Sequence, residues 1–321
     1  MTDKISRILV TGGAGFIGSH TVDRLVSEGR RVWVLDDLST GLLGNIETHI
    51  GKGSLNVVRG DIGDQSLLAE LMANVEAVIH LAAITDHEIC LHNPRLADEV
   101  NSKGTFILLE RAREHDLRRF VYASSAAVYG DASRIPISED CQPAPLTPYG
   151  ASKLAGEKKC LEYWRSYGLR TVCLRYFNVF GPRQSSRHYS GVITAFMKRL
   201  SHGQPPAIYG DGLQTRDFVN VSNVAEITTL ALDSEANGEV YNIASGRETT
   251  INTLAQKLID ISGRSSITPV HTSERQGEIR RSVADIQKAR TQLHYNPRTD
   301  LQRDLIDLWN WYMRKSEQPR N

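Results

Sequence analysis

Residues Thr11 to His20 read TGGAGFIGSH and follow a short apolar segment of strand type, Arg7–Val10. After this stretch, apolar residues recur at the spacing of one helix face. A glycine-rich turn between a strand and a helix can hold a dinucleotide pyrophosphate at the helix N-terminus. The glycines Gly12, Gly15 and Gly18 would permit the tight turn, the approach of backbone to phosphate, and close helix packing. Their GxxGxxG spacing varies from the usual GxGxxG, and the motif alone is weak evidence because a tight turn without ligand would look the same.

An acidic residue ends the next strand pattern. Asp36 follows the apolar run Val32–Leu35 and lies 18 residues after Gly18. A carboxylate at this place can accept hydrogen bonds from both ribose hydroxyls of an adenosine, so the combined pattern predicts a nucleotide site. The same charge would repel the 2′-phosphate of NADP, and the next residue is Asp37 instead of an arginine that could accept that phosphate. The sequence therefore favours NAD.

Composition narrows the functional class. The 321 residues carry 38 basic and 37 acidic side chains, a net charge of +1, so no global field favours nucleic acid or an anionic membrane as partner. The four cysteines form no CxxC pair and show no metal-ligand spacing, which predicts reduced thiols and no metal site. The first strand pattern begins within a few residues of the N-terminus, and no apolar run approaches the roughly 20 residues of a membrane span. We expect a cytoplasmic protein.

Strand and helix patterns alternate through the first half of the chain. This rhythm implies right-handed βαβ crossovers and a parallel sheet covered on both faces, so we predict an α/β protein with a Rossmann-type doubly wound sheet. Between the strands, helical patterns include 66–72, 96–115 and 148–167. The predicted strands are Arg7–Val10, Val32–Leu35, Leu55–Val58, Ala77–Leu81, Arg119–Ala123 and Thr171–Arg175.

The alternation loosens after Phe177, which divides the chain. Residues 1–182 are predicted to form the NAD-binding Rossmann domain, to which 217–244 return. Residues 183–216 and 245–321 are predicted to form a smaller C-terminal α/β substrate lobe. Ligands of such folds bind beyond the carboxyl ends of the strands, so the reacting centre should lie between the lobes.

Two stretches carry candidate catalytic groups. In YGASK, Tyr149 and Lys153 are four residues apart and share one face of a predicted helix. A free tyrosine has a pKa near 10, but a nearby ammonium and an oxidised nicotinamide stabilise the phenolate and make it a credible general base or acid. In SSAAVYG, Ser124 and Ser125 end a predicted strand, and their hydroxyls can reach the same cleft. Taken alone, the YxxxK spacing is common, and a surface tyrosine with a solvated lysine is the better interpretation. The second stretch alone could equally be a serine-rich strand exit.

With these motifs in place, the chain resembles the extended short-chain dehydrogenase/reductases, and among them the nucleotide-sugar epimerases of the NAD-dependent epimerase/dehydratase family, typified by UDP-galactose 4-epimerase. The resemblance covers nearly the whole chain. It rests on TGGAGFIGSH, LDDLS, DI at 61–62, HLAA at 80–83, Asn101, SSAAVYG, YGASK, LRYFNVFGPR at 174–183, YGDG at 209–212, RDFV at 216–219 and GEIR at 277–280.

The resemblance implies a mechanism in which NAD is a recycled hydride store and the sugar passes through a transient 4-keto form. Tyr149 would take the proton of the sugar's 4-hydroxyl, and Ser125 would bridge Tyr149 and the 4-oxygen. Lys153 would hold the nicotinamide ribose and lower the pKa of the tyrosine. A structural role is about as plausible for Ser124. The implied cofactor contacts are Gly12, Gly15, Phe16, Ile17, Gly18, Asp36, Asp37, Asp61, Ile62, Leu81, Ala82, Ala83, Asn101, Ser124, Tyr149, Lys153 and Tyr176.

Substrate contacts are implied in the same way, and uracil is favoured over thymine because Tyr189–Val192 resembles the segment that wraps over the nucleotide in UDP-hexose epimerases. Two arginines, Arg216 and Arg280, match residues that hold the diphosphate, since arginine binds phosphate oxygens in a fork. A surface or interlobe ion pair is the alternative for each arginine, and a structural amide is the alternative for Asn178. The implied substrate contacts are Ser125, Tyr149, Asn178, Val192, Ile208, Tyr209, Arg216 and Arg280.

Two places in the sequence bear on the reaction subclass and on the range of substrates. Sugar-nucleotide dehydratases carry an Asp-Glu pair after the catalytic hydroxyl, whereas this chain has Ala126 and Ala127, which cannot move a proton. Epimerisation therefore remains. Glucose-restricted relatives carry a bulky tyrosine where this chain has Ser282, so we hypothesise that UDP-glucose, UDP-galactose and their N-acetyl forms all fit; another side chain filling the space is the alternative.

Other possibilities stay open. The basic segment 184–188 could attract a uronate carboxylate, which keeps a UDP-glucuronate 4-epimerase or another nucleotide-sugar oxidoreductase in view. A non-catalytic dinucleotide-binding module is opposed by the retained catalytic residues, and an NADPH-consuming reductase by Asp36 and Asp37. Asp86 and His87 depart from the family pattern, and a loop pair near the cofactor is preferred to a catalytic role.

The predicted helices over 96–115 and 148–167 carry apolar residues at helical spacing, among them Phe106, Leu109 and Tyr163. In the family, two such helices of each subunit pair as a four-helix bundle, so the resemblance implies a homodimer. Burial of these residues within the monomer is the alternative.

Overall fold

The computed structural model describes residues 4–185, 191–274 and 277–317. Its strands in chain order are β1 (Arg7–Thr11), β2 (Arg31–Asp36), β3 (Leu55–Arg59), β4 (Ala77–His80), β5 (Arg119–Ser125), β6 (Thr171–Tyr176), β7 (Asn178–Phe180), β8 (Ala207–Tyr209), β9 (Thr215–Arg216), β10 (Phe218–Asn220), β11 (Glu239–Ile243), β12 (Thr249–Thr250) and β13 (Val270–Thr272). Its α-helices are α1 (Phe16–Ser27), α2 (Gln65–Met72), α3 (His87–His92), α4 (Pro94–Ala97), α5 (Gly104–Glu114), α6 (Pro148–Tyr167), α7 (Val192–Ser201), α8 (Val221–Asp233), α9 (Ile251–Ile261), α10 (Gln287–Leu293) and α11 (Leu301–Glu317).

Seven strands form a parallel sheet in the order β3-β2-β1-β4-β5-β6-β11. The predicted doubly wound α/β sheet is therefore confirmed. The strand order reverses between β1 and β4, and a crevice opens beyond the carboxyl ends of strands at such a point. The glycine turn after β1 and the HLAA segment that β4 runs into both lie there.

Two apolar layers cover the sheet. Helices α1 and α8 pack on one face, with buried residues such as Val22, Leu25, Val224 and Ile227. Helices α2, α5 and α6 cover the other face through buried residues such as Leu68, Leu108 and Cys160. Because both faces are covered, the central strands β1 and β4 are near-continuous apolar runs instead of alternating ones.

The helix predicted over 96–115 is interrupted. A π-helical turn, Asp98–Lys103, separates α4 from α5. The turn holds Asn101 in the interior, where its side-chain oxygen accepts from the Ile84 amide at 2.8 Å and its nitrogen donates to the Ile84 carbonyl at 3.0 Å and to Ser152 Oγ at 3.0 Å. Such bulges are frequent at functional sites, and this one fixes the loop after β4. Asn101 thus contributes by holding that loop.

A third apolar cluster forms the smaller lobe. It joins α7, α9 and α11 through residues such as Phe196, Leu258 and Leu305. Part of the segment predicted for this lobe packs elsewhere: Ala284 bridges Ile137, and residues from Ala284 to Tyr295 join the larger core, where α10 packs against β11. None of the described helices is long and apolar enough to cross a membrane.

Candidate active site

The glycine turn is shaped so that side chains would not fit. Gly12 has φ +68°, and a Cβ there would lie 2.8 Å from the amide nitrogen of Ala82. A Cβ on Gly18 would lie 2.0 Å from the carbonyl oxygen of Gly12. Helix α1 begins at Phe16 with Gly15 as its N-cap residue, so no side chain caps it in the described structure. Uncapped amides and the helix dipole then favour an anion at this point, and the turn fits a dinucleotide diphosphate.

Asp36 lies against this turn. Its carboxylate is 7% exposed and accepts hydrogen bonds from the amides of Ala14 and Leu38, both at 2.9 Å. Burial raises the pKa of Asp36, and the two amides partly offset that rise. Asp37 is exposed and accepts from the amide and hydroxyl of Ser39 at 2.9 and 2.7 Å. Asp36 therefore braces the glycine turn in addition to standing where an adenosine ribose would bind.

The remaining implied cofactor residues border the same crevice. Leu81 and Ala82 donate their amides to the backbone and hydroxyl oxygens of Thr11, at 3.2 and 3.3 Å. Asp61 follows β3 and accepts from the Gly63 amide, and Ile62 is buried in the α2–α5 layer. The carboxyl ends of β1, β2, β3 and β4 thus bring together residues from four separate stretches of sequence.

The buried side chain of His80, at the end of β4, connects β1 to α5. Its Nδ1 lies 2.7 Å from Thr11 Oγ1, its Nε2 lies 3.0 Å from Thr105 Oγ1, and the side chain is 1% exposed. Burial lowers the pKa of His80 to about 3, so the ring is neutral at pH 7. A neutral imidazole can donate through one nitrogen and accept through the other, which suits two hydroxyl partners.

We expect His80 to make the protein sensitive to acid. The unfolded chain binds a proton at this ring below about pH 6.5, whereas the folded chain does so only near pH 3, so stability is lost as the pH falls between these values. Each unit of pKa difference corresponds to about 1.4 kcal/mol. Urea denaturation between pH 7 and 4 should therefore show a shallower decline for His80→Gln than for the unsubstituted protein. Exposed His92→Gln should keep the original slope; an unchanged slope in His80→Gln would contradict the prediction.

The candidate base stands in the first turn of α6. Thr147 caps this helix by accepting from the Gly150 amide at 3.1 Å, and Tyr149 is 9% exposed. A Cβ on Gly150 would lie 2.5 Å from the carbonyl oxygen of Ala127, so the glycine lets α6 approach the short 3₁₀ turn that follows β5. Ser125 begins that turn, and its Oγ accepts from the Ala127 amide at 3.2 Å. The close approach brings the two predicted stretches together.

Lys153 lies one helical turn after Tyr149. Its Nζ donates to the carbonyl oxygen of Ala123 at 2.9 Å and lies 5.1 Å from the centre of the Tyr122 ring. The side chain is 3% exposed, and burial lowers its pKa to about 8. An ammonium held at the carboxyl end of β5 can therefore act on Tyr149 through a medium of low dielectric, where a charge is felt most strongly.

Two implied cofactor residues use their side chains elsewhere. Ser124 Oγ donates to Glu157 Oε2 at 2.9 Å, and Tyr176 Oη lies 2.7 Å from Thr228 Oγ1. Both are buried, at 2% and 6% exposure. The structure therefore favours the structural alternative for the Ser124 side chain, and a cofactor contact of either residue would use its backbone.

Both candidate diphosphate arginines are engaged in ion pairs. Arg216 donates to the carbonyl oxygens of Thr215 and Ile279, each at 2.7 Å, and pairs with Glu278. Arg280 makes a two-pronged pair with Asp211, both contacts at 2.7 Å. The ion pairs left open by the sequence are thus present, and an incoming diphosphate would have to compete with two carboxylates.

The other implied substrate residues line the smaller lobe or its junction. Asn178 donates to the carbonyl oxygen of Asp217 at 3.3 Å, Val192 begins α7, Ile208 is 1% exposed and Tyr209 is 40% exposed. The segment 186–190, with part of the basic stretch and of the nucleotide-wrapping stretch, lies outside the described residues.

Asp217 is a residue whose role the sequence did not reveal. Its buried carboxylate accepts from the amide and hydroxyl of Ser245 at 2.8 and 2.6 Å, from the Gly246 amide at 3.0 Å and from the Ala284 amide at 3.2 Å. Asp217 directly follows β9, so its hydrogen bonds connect β9 both to the segment after β11 and to Ala284. The available signal was an acid directly before the apolar pair Phe218–Val219.

The comparisons with known proteins agree with this geometry. Residues 8–244 match the model of the NAD dependent epimerase/dehydratase family. This chain belongs to that family. Its cofactor is NAD, which the glycine turn and Asp36 fit, and the chain is an enzyme of this family.

Relatives within the family differ in activity. A UDP-glucose 4-epimerase of Mycolicibacterium smegmatis is 35% identical, with 97% of this chain and 100% of that protein covered. A dTDP-glucose 4,6-dehydratase of Streptomyces niveus is also 35% identical, over 95% of this chain and 92% of that protein. The solved structure of a UDP-N-acetylglucosamine 4-epimerase from Methanobrevibacter ruminantium M1, in complex with UDP-N-acetylmuramic acid, superimposes with a TM-score of 0.92 at 33% identity, covering 97% and 99% of the two chains.

Proposed function

We propose that this enzyme is a 4-epimerase of UDP-hexoses that interconverts UDP-glucose and UDP-galactose through a transient 4-keto sugar. The observation that supports the proposal is the close approach of α6, which carries Tyr149 and Lys153, to the end of β5, where Ser125 begins the next turn. Ala126 and Ala127 follow this serine. This set can move one proton at one oxygen, as a reversible 4-epimerisation requires.

The chain's own residues have distinct tasks in this reaction. The glycine turn and Asp36 would hold NAD, which would supply reversible hydride transfer at carbon 4 of the sugar. Tyr149 would take the proton of the 4-hydroxyl as a phenolate, and Lys153 would stabilise that phenolate by its charge. Ser125 would hydrogen-bond the 4-oxygen and fix the distance between base and substrate. Arg216 and Arg280 would hold the diphosphate once released from their carboxylates.

A dehydratase is disfavoured by the turn after Ser125. Eliminating water from the sugar needs an additional acid and base beside the Tyr-Lys pair. The two positions that supply them in dehydratases are Ala126 and Ala127, whose methyl groups exchange no proton. The similarity to a dTDP-glucose 4,6-dehydratase therefore supports a shared fold and a shared cofactor, but not a shared reaction. Epimerisation is the reaction that the residues of this chain can perform.

Incubating the purified protein with UDP-galactose, without added cofactor, tests the proposal. Chromatography should show UDP-glucose appearing, because NAD is expected to stay bound through purification and to be regenerated in each cycle. No conversion, even with NAD added, would reject UDP-galactose epimerisation. Parallel assays with UDP-glucuronate and dTDP-glucose then test for a uronate epimerase or another oxidoreductase of the family. UDP-glucuronate is included because the basic segment 184–188 could attract its carboxylate.

Substrate breadth should depend on Ser282. The residue is 8% exposed and stands where glucose-restricted relatives carry a tyrosine, so its small side chain should leave room for an N-acetyl group. We expect the enzyme to convert UDP-N-acetylglucosamine, and Ser282→Tyr to lose that activity while it keeps conversion of UDP-glucose. Ser282→Ala, which leaves the space open, should keep both activities. An unsubstituted enzyme that converts UDP-glucose but is inert towards the N-acetyl form would refute this breadth.

We also propose that the enzyme is a cytoplasmic homodimer that pairs through α5 and α6. Leu109 and Tyr163, which the sequence placed on the pairing face, are buried within the subunit, whereas Phe106 is 44% exposed and Tyr167 at the end of α6 is 58% exposed. Exposed aromatic side chains on neighbouring helices support an interface there. Light scattering should give twice the subunit mass, and Phe106→Glu should shift it to the monomer.

A further inference from the structure

A histidine outside the proposed catalytic set lies against Tyr149. Asp86 caps α3 by accepting from the amides of Glu88 and Ile89 at 2.9 and 3.2 Å, which makes His87 the first residue of that helix. The centres of the His87 and Tyr149 rings are 5.0 Å apart, with their planes tilted by 48°. Aromatic pairs favour such separations and tilted arrangements. The start of α3 thus meets the start of α6 at the candidate base.

The surroundings hold both rings in place. Tyr149 belongs to a small apolar cluster with Cys90 and Ala97, against which Ile84 and Ala127 pack. Cys90 is 0% exposed and anchors α3 into this cluster, and its Sγ lies 3.6 Å from the carbonyl oxygen of Ile84. The side chain of Asn101 fixes the backbone of Ile84 from the π-helical turn. Helix α3, which Asp86 caps and Cys90 anchors in the interior, therefore holds His87 against Tyr149.

The charge state of His87 suits this contact. Burial lowers its pKa, and the carboxylates of Asp86 and Glu88 on its own helix oppose that effect less strongly. On the facing helix stand the phenol of Tyr149 and the ammonium of Lys153, whose charge is also felt at Cys90 of α3. A neutral imidazole can pack on the phenol without adding a second cation beside Lys153.

We propose that His87 is a positioning residue for the reaction, because its imidazole packs on the Tyr149 ring and holds the phenol in the orientation from which it exchanges a proton with the sugar. This inference rests on the proposed function for the role of Tyr149. It assigns no proton transfer to His87, so the aromatic ring is the required feature and the ionisable nitrogens are not. A catalytic group displaced by ~1 Å can lose about 10²-fold in rate, which sets the scale of the effect.

Kinetics of His87→Ala and His87→Phe test this role. Truncation to alanine should lower kcat by about tenfold to 10²-fold with KM within about twofold, because the phenol loses its support while substrate binding groups stay. Phenylalanine should restore most of kcat and leave the pH profile unchanged. His92→Ala, at the exposed end of the same helix, is the matched control and should behave as the unsubstituted enzyme. Equal kcat in His87→Ala, or a His87→Phe variant as slow as His87→Ala, would overturn the proposal.

A measurement that needs no turnover separates this inference from the proposed function. In an NMR titration, the His87 ring should titrate below its ordinary pKa of 6.5, should stay low in Tyr149→Phe, and should rise in Tyr149→Leu, where the ring that covers it is gone. An ordinary pKa in the unsubstituted protein, or no change in Tyr149→Leu, would contradict the contact. An enzyme that converts no UDP-sugar but gives the expected titration would reject the proposed function and retain the positioning contact.

Discussion

Replacing Tyr149 with phenylalanine is expected to lower kcat for UDP-galactose conversion by about 10²- to 10⁴-fold, the usual contribution of a general acid–base group. The variant differs from the unsubstituted protein by one oxygen atom. It keeps the ring, its packing against Cys90 and Ala97 and its contact with His87, but it loses the hydroxyl that would exchange the proton. Steady-state kinetics with chromatographic detection measures the loss. Because the removed atom belongs to the reaction and not to the core, KM should change much less than kcat.

Retained NAD is the control for this variant. The glycine turn follows β1, Asp36 ends β2, and the variant changes neither of them, so NAD extracted from Tyr149→Phe should match that from the unsubstituted protein. Normal conversion by Tyr149→Phe would exclude tyrosine as the base. If neither protein converts any UDP-sugar while both retain NAD, the non-catalytic dinucleotide-binding module becomes the supported alternative.

Arg175→Met is expected to destabilise the protein by about 3–5 kcal/mol, the usual cost of leaving one partner of a buried ion pair alone. Arg175 Nε donates to Glu157 Oε2 at 2.9 Å, and the two side chains are 4% and 3% exposed. Ser124 also donates to this carboxylate, and the guanidinium lies 4.6 Å from the centre of the Tyr129 ring. Removing the cation leaves a carboxylate on α6 with a single hydroxyl donor in the interior.

A double-mutant cycle in urea denaturation checks the prediction. Glu157→Leu combined with Arg175→Met should cost less than the sum of the two single variants, because no unpaired charge then remains buried. The exposed pair of Arg95 and Glu99 on a helix surface is the matched control, with 86% and 42% exposure, and Arg95→Met should cost less than about 1 kcal/mol. Additive costs at 157 and 175 would show that the two charges stabilise the fold independently.

The nucleotide-binding half of the site could be predicted because its determinants are close together in the chain. The glycine turn joins β1 directly to α1, and Asp36 ends the strand that pairs with β1. Likewise, Tyr149 and Lys153 are neighbours on one helix face whatever that helix packs against. Periodicity and turn chemistry report such local relations, so sequence alone predicted the parallel sheet, NAD and the Tyr-Lys pair.

The remaining features join residues that are far apart in the chain, and no local pattern encodes them. Asn101 reaches Ile84 and Ser152 only because a π-helical turn rotates it inward, and this interrupts the helix expected over 96–115. The pairing of Arg216 with Glu278 likewise depends on where the chain returns from the smaller lobe. In each of these contacts a buried or half-buried polar side chain needs a hydrogen-bond partner. The packing of distant segments decides which partner it finds.

The difference is clearest at the candidate catalytic tyrosine, Tyr149. Its place four residues before Lys153 is a property of the sequence, and so are the cofactor type and the order of the strands' motifs. The turn that Ser125 begins comes close to its helix because Gly150 lets α6 approach the end of β5. His87 reaches its ring from α3, which Cys90 anchors in the interior. Short-range periodicity determined which groups could react, whereas the burial of distant segments against one another decided which groups surround them.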